Sequence, residues 1–435
     1  MRRFAISVLS LTLPVSYGTA ADLPETAPAE YVQICNAFGE GFFVLPGTDT
    51  CLRVEGRVRT ELRWDNFGDE PNAWDRRTQN ATTMRARGYA RLDARTQTEY
   101  GLLRAYIDLF ATVDTPSFSE TSGTVVDRPS DDNQRGSFDP AGRTSLGLDY
   151  AFVQFGGLTV GKTQSFYDFF TGYAFGAVTA TAYSDVKPWV AAYTLPLSQG
   201  ISASLSFEDR AYRQQGLFVG PYLNLDPSYS QEYAGQRWPD VVGNLRFDGS
   251  WGSAQIMGAL HDVRYLSSLP DGDVGFAIGG GVKLNLPFMG DARFALQSTY
   301  AYGALAYAHS DWGATVYDAS AVFPTGGGSA PRRGSGTGEA WSVVGSLQKY
   351  WSGTFSTVFE ASYAEADNKL FWDVQQTDVL ATAIWTPVNN VEIGTEVGYR
   401  HLDFNNATAP GGPQPISRPR DQDIMTWMIR VQRDF

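Results

Sequence analysis

Two stretches of this chain set charged side chains at every second residue. From Leu52 to Trp64 the odd positions read Arg53, Glu55, Arg57, Arg59, Glu61 and Arg63, while the even positions are Leu52, Val54, Gly56, Val58, Thr60, Leu62 and Trp64. From Met84 to Tyr100 the odd face carries Arg85, Arg87, Arg91, Asp93, Arg95 and Glu99, against Met84, Ala86, Gly88, Ala90, Leu92 and Ala94 on the other. Guanidiniums in rows can hold or steer anions, and the acids among them form local ion pairs. Acid–base chemistry would need the histidines, His261, His309 and His401. His261-Asp262 and His401-Leu402-Asp403 fall near strand ends, but sequence neighbours do not make a dyad and no serine motif accompanies them. Each histidine therefore reads as a surface or rim residue, and the chain as no enzyme. No cluster has metal-ligand spacing, so neither metal nor cofactor is expected. Gly279-Gly280-Gly281 precedes no helix. Inside a strand it marks a close backbone approach or a bend.

The elements that carry these residues must be strands. Period-2 alternation dominates the chain, and helical periodicity is nearly absent. The candidate strands are 52–64, 84–100, 102–112, 145–156, 158–163, 187–195, 200–211, 240–249, 253–265, 274–286, 291–303, 339–349, 354–364, 373–386, 390–402 and 422–435, sixteen in all. Several run longer than the usual 5 or 6 residues and suit the roughly 9 to 11 of a tilted membrane strand. Connections alternate between tight turns and long loops at 65–83, 113–144, 164–186, 212–239, 304–338 and 403–421, with shorter ones at 266–273 and 365–372. That alternation is the plan of an outer-membrane barrel. Unpaired backbone groups are too costly in lipid for an open sheet, so the barrel must close. A soluble secreted β-protein is the other reading.

The 435 residues include 43% apolar and 14% aromatic side chains and carry a net charge of −13. No apolar run after residue 21 approaches the roughly 18 residues of a membrane helix. The acidic balance argues against a nucleic-acid partner. At the start, Arg2 and Arg3, the apolar run Phe4 to Val15 and Gly18-Thr19-Ala20 form a secretory signal over residues 1–20, with cleavage after Ala20 or Ala21. Loss of Arg2 and Arg3 takes the net charge from −13 to −15. The two cysteines, Cys35 and Cys51, then meet an oxidising compartment and are expected to pair, with two buried thiols as the alternative. Residues 21–50 form a periplasmic segment with the disulfide loop, and 51–435 the barrel.

Tyr31 to Gly56, YVQICNAFGEGFFVLPGTDTCLRVEG, resembles the N-terminal motif of the alphaproteobacterial porin family. Tyr150-Ala-Phe-Val-Gln-Phe-Gly-Gly157, Phe170-Thr-Gly-Tyr173, the Gly-x-Trp-Gly turn at 249–252 and the terminal Arg430-Val-Gln-Arg-Asp-Phe435 extend the similarity. The loops 212–239 and 304–338 lie outside it. The resemblance implies homotrimeric, water-filled, sixteen-stranded barrels in a Gram-negative outer membrane, passing small hydrophilic solutes and ions passively. It also implies a third loop, about Thr163 to Val186, folded into the lumen. Here the middle of that loop, Ala174 to Ala182, is uncharged, unlike more acidic relatives.

Together these readings place a constriction between a wall bearing Arg57, Arg59, Arg91 and Arg95, joined by Arg104, and a loop bearing Asp168 and Asp185. Weak selectivity with anions admitted is the expectation. The bland alternative is a solvated wall with local ion pairs. A sugar-specific channel is the rival function, because Tyr150, Phe152, Phe166, Tyr167, Phe169, Phe170, Tyr173 and Phe175 cluster around the third loop. Both chain ends are expected in the periplasm.

Overall fold

The computed structural model describes residues 33–64, 80–115, 120–121, 124–125, 143–221, 233–265, 272–312, 316–323, 334–369, 372–405 and 420–435. The signal segment 1–20 and most of loops 65–83, 113–144 and 403–421 lie outside them. Sixteen strands form the wall: β1 Cys51–Trp64, β2 Thr82–Thr98, β3 Gly101–Asp114, β4 Arg143–Phe155, β5 Leu158–Lys162, β6 Trp189–Ser198, β7 Ile201–Glu208 and β8 Asp240–Gly249, then β9 Gly252–Val263, β10 Asp273–Leu286, β11 Ala292–Tyr302, β12 Glu339–Ser352, β13 Phe355–Asp367, β14 Asp373–Trp385, β15 Val391–Asn405 and β16 Gln422–Asp434. Every candidate strand of the sequence has its counterpart. The expected strand 200–211 stops early, at Glu208. The Asp209 carboxylate there accepts the Ala211 N–H at 2.9 Å and turns the chain into a short 3-10 segment.

Each strand pairs antiparallel with its sequence neighbours, and β1 closes the barrel on β16, from Arg57↔Asp434 to Trp64↔Trp427. The terminal Phe435 extends this seam, exchanging backbone hydrogen bonds with Gly56 at 2.7 and 3.0 Å. Its ring lies where a Cβ on residue 56 would be, 2.4 Å from that position, so glycine is what lets the seam finish. Below the seam, β1 would expose an unpaired edge. The short strand Phe43–Val44 covers it, pairing with Leu52 and Cys51. The Cys35–Cys51 disulfide pins that segment down.

Alternation sorts the side chains as the sequence pattern demands. Val54, Val58, Leu205, Ile256, Ile278 and Phe359 point outward and are exposed, while charged and small polar residues face the lumen. Tyr100, Trp251, Phe288, Trp351, Trp385 and Phe435 are exposed around the short-turn end. An apolar band with an aromatic girdle is the surface a barrel presents to lipid. At the long-loop end, Leu217–Pro221, Ala319–Phe323 and Gly334–Thr337 form a small sheet that ties two loops together.

Candidate pore constriction

β5 is the shortest wall strand, and the chain leaves it inward. Gly161 has φ +129°, and a Cβ there would sit 2.3 Å from the Ala151 carbonyl oxygen. Only glycine takes that bend without displacing β4. The following segment, 163–188, lies inside the barrel without a partner strand, so its N–H groups need other acceptors. Wall side chains supply them. Glu208 accepts from Ser165 Oγ (2.6 Å) and the Phe166 N–H (2.9 Å). Gln297 accepts from the Phe170 N–H (2.9 Å), Glu360 from the Tyr173 N–H (2.9 Å) and Glu396 from the Phe175 N–H (2.6 Å). These contacts carry the loop past β7, β11 and β13 to β15. On the return, Thr181 donates to Glu360 and the Ala182 N–H to Ser362.

The aromatic side chains of the loop turn to the wall. Tyr167, Phe169 and Phe170 are buried there. Gly279 and Gly281 make the space, since Cβ atoms on them would come within 2.9 Å of the Tyr167 hydroxyl and 2.8 Å of the Phe169 ring. That is the close approach expected of the glycine run. Phe175 fills the space over Gly394 and lies 4.1 Å beneath the Arg430 guanidinium. The cluster is thus mostly packing, which removes the main support for a sugar track in the loop. On the wall, Tyr106, Tyr150 and Phe152 pack on one another.

The structure corrects the placement of Asp168. Its carboxylate is fully enclosed, 2.9 Å from Arg213 and accepting from Ser184 and the Val186 N–H. The reason is local: a loop entering and leaving at one place needs a clamp at its root, and this buried pair is that clamp. Asp185 is exposed, 3.0 Å from the Gln164 amide. Of the two loop acids, only Asp185 meets open space.

Among the described residues, the loop makes no hydrogen bond to β1, β2 or β3. Those strands hold the arginines. Cross-strand register brings Arg57, Arg59, Arg91, Arg95 and Arg104 onto one panel with Arg53, Arg63, Arg85 and Arg87. Nine guanidiniums there face five carboxylates, Glu55, Glu61, Asp93, Asp108 and Asp114. Arg91 pairs with Asp108 (2.7 Å), Arg85 with Asp114 (2.6 Å), and Arg95 and Arg104 share Asp93 (2.7 and 2.8 Å). Arg57 pairs with Asp434 of the closing strand. The panel is therefore both ion-paired and basic.

Two residues of this arrangement were not singled out from sequence. Tyr89 sits at the panel's centre, with Arg57, Arg59, Arg87 and Arg91 within 6.0 Å of its ring centroid. The signal was its parity, an aromatic in the middle of a charged row. Arg430 joins the panel only through barrel closure. The histidines also depart from expectation, since His261 and His309 are fully buried. His261 lies 2.9 Å from Asp240 and 3.2 Å from the Tyr233 hydroxyl, and His309 3.0 Å from the Gln376 amide. Loops over the lumen need internal polar contacts, and these imidazoles provide them. His401 alone stays at the rim, partly exposed beside Asp423 at 2.8 Å.

The porin subfamily model matches residues 21–428 of the sequence. The chain belongs to that family. It is 28% identical over 335 residues to Porin Omp2b of Brucella abortus, covering 69% of this chain and 81% of the relative. Porin Omp2b of Brucella suis matches to the same extent, 28% over 335 residues. In fold the chain is similar to the outer membrane channel DcaP of Acinetobacter baumannii, with a TM-score of 0.61 at 14% identity over 89% of this chain and 97% of that one. A closed sixteen-stranded barrel with a polar lumen and an apolar outer face is how such a porin crosses the outer membrane. The family makes it a channel.

Proposed function

We propose that this porin passes small hydrophilic solutes and ions by passive diffusion through a gap between the β1–β3 arginine panel and the inserted loop. The observation that carries the reading is the one-sided attachment of that loop, which is bonded to β7, β11, β13, β15 and β16 and makes no hydrogen bond to β1, β2 or β3 among the described residues. Arg57, Arg59, Arg91, Arg95 and Arg104 line one side and Asp185 the other. An excess of guanidiniums tilts permeation toward anions. The tilt is weak, because salt water screens charge within about 8 Å.

In this reading the protein is exported by its signal segment 1–20, residues 21–50 remain periplasmic and 51–435 form the barrel. Both ends face the periplasm and the long loops face outward. Three copies associate through the outer faces of the terminal strands and β2, where Ala86 and Ala90 are exposed and Gly88 has nothing nearby to meet an added Cβ. Small residues let neighbouring surfaces approach closely in lipid. Stepwise ohmic conductance in planar bilayers tests the pore, and folded protein that inserts without conducting would overturn it. Light scattering in mild detergent tests the trimer, which a persistent monomer would refute.

A further inference from the structure

One part of the arginine panel lacks the carboxylates found elsewhere on it. Arg59, Arg63 and Arg430 all converge on a single acid, Glu61, which is fully enclosed. Arg430 Nη2 is 2.6 Å from its Oε1 and Arg59 Nε 3.1 Å from the same atom. Arg87 stands directly opposite Arg59 across the β1–β2 ladder. Like charges so placed repel. Where the same juxtaposition recurs lower down, at Arg95 and Arg104, Asp93 bridges both. Arg87 has no such acid among the described residues. Its guanidinium donates to Thr112 Oγ1 at 2.7 Å and lies 4.5 Å over the Phe110 ring.

The deficit is of hydrogen-bond acceptors as well as of charge. The Nε atom of Arg63 is buried without an acceptor among the described residues, and that of Arg59 makes no aligned hydrogen bond although Glu61 Oε1 lies 3.1 Å away. Three guanidiniums on one carboxylate, with a fourth that has no ion-paired acid among the described residues, leave an excess of positive charge that calls for a counter-anion. Because three of the four meet at one carboxylate, their positive charge is gathered in one place. That favours a compact multiply charged group over two separated carboxylates. The aromatic rings of Phe110 and Phe175 cover guanidinium faces of Arg87 and Arg430, so an anion would meet these cations along the N–H edges not already given to Thr112 and Glu61.

We propose that Arg59, Arg63, Arg87 and Arg430 form a binding site for a compact oxyanion of the phosphate class on the lumen wall, with Arg430 against Phe175 of the inserted loop. The site rests on the pore reading only for how its ligand arrives. Calorimetric titration of the folded protein in detergent with inorganic phosphate, and separately with glycerol phosphate, tests it directly. Saturable binding of either is expected, with the pair telling free phosphate from a monoester. Losing one charge-assisted contact in Arg87→Gln should weaken it about tenfold. Arg87→Lys, which keeps the charge but not the fork, should fall between. Arg246→Gln, outside the cluster and paired with Asp248, should bind as the parent does. Binding of neither probe, or equal affinity in Arg87→Gln and the parent, would overturn the site. A protein that binds phosphate yet conducts nothing would instead strike the pore reading alone.

Discussion

At the scale of single residues, the acid drawn from sequence as a pore charge turns out to be a clamp. Asp168 is sealed against Arg213, with neither side chain exposed. Breaking one partner of a buried pair costs about 3 kcal/mol or more, because the other charge is left stranded. Asp168→Asn should therefore loosen the loop root, seen as noisier and larger single-channel currents and a lower melting temperature. Ion preference should change little, since the carboxylate does not meet the lumen. His309 makes a second residue-scale prediction. Burial, with Arg400 nearby, lowers its pKa from 6.5 to about 3. The imidazole is neutral when folded but protonates near 6.5 when released, so the released state takes up the proton first as pH falls. Stability of loop 304–312 is then full above about pH 6.5 and declines below it, by about 2 kcal/mol at pH 5 at about 1.4 kcal/mol per unit. Hydrogen exchange of that loop at pH 7.5 and pH 5 should show the loss, and His309→Gln should flatten it. Exchange rates that keep the same pH dependence in both proteins would refute the account. Such residues could not be placed from sequence. Alternation shows which face a strand residue takes, but Asp168 and His309 lie in loops, where partners come from distant strands.

At the scale of elements, the strands were legible because period 2 is a direct consequence of a wall with lipid on one side and water on the other. The arginine panel was legible for the same reason, as parity alone puts Arg57, Arg59, Arg91, Arg95 and Arg104 on one face. The route of the inserted loop was not, because it depends on Glu208, Gln297, Glu360 and Glu396 on four separate strands. Gly394 is a sharp test of that route, since a Cβ there would lie 2.5 Å from the Phe175 ring. Gly394→Val should push the loop tip off the wall, changing conductance while leaving the heat-modifiable barrel intact in gel mobility. Conductance equal to the parent's would show that the tip does not sit there. The N-terminal hook offers a contrasting case. The disulfide closes a ring that the chain-entropy picture values at about 3 kcal/mol, but the wall ladder does not run through it. Cys35→Ala with Cys51→Ala should still assemble, with faster proteolysis near residues 33–50. Failure to assemble would mean that the hook is needed to form the seam.

For the whole molecule, closure, charge and transport form one argument. Joining β1 to β16 brings Arg430 to Glu61 and Asp434 to Arg57, and so completes a basic panel that neither end of the chain holds alone. The chain is acidic overall, at −13, yet the open side of its lumen is basic. Net charge is therefore a poor guide to the charge of the lumen wall, and the proposed anion preference rests on the local excess of guanidiniums. The most direct test is the reversal potential of the reconstituted protein in a potassium chloride gradient, compared with that of Arg57→Glu combined with Arg91→Glu. A modest chloride preference is predicted for the parent, on the order of threefold given screening in a wet lumen, with a shift toward potassium in the double variant. A cation preference in the parent that the double variant leaves unchanged would contradict the account.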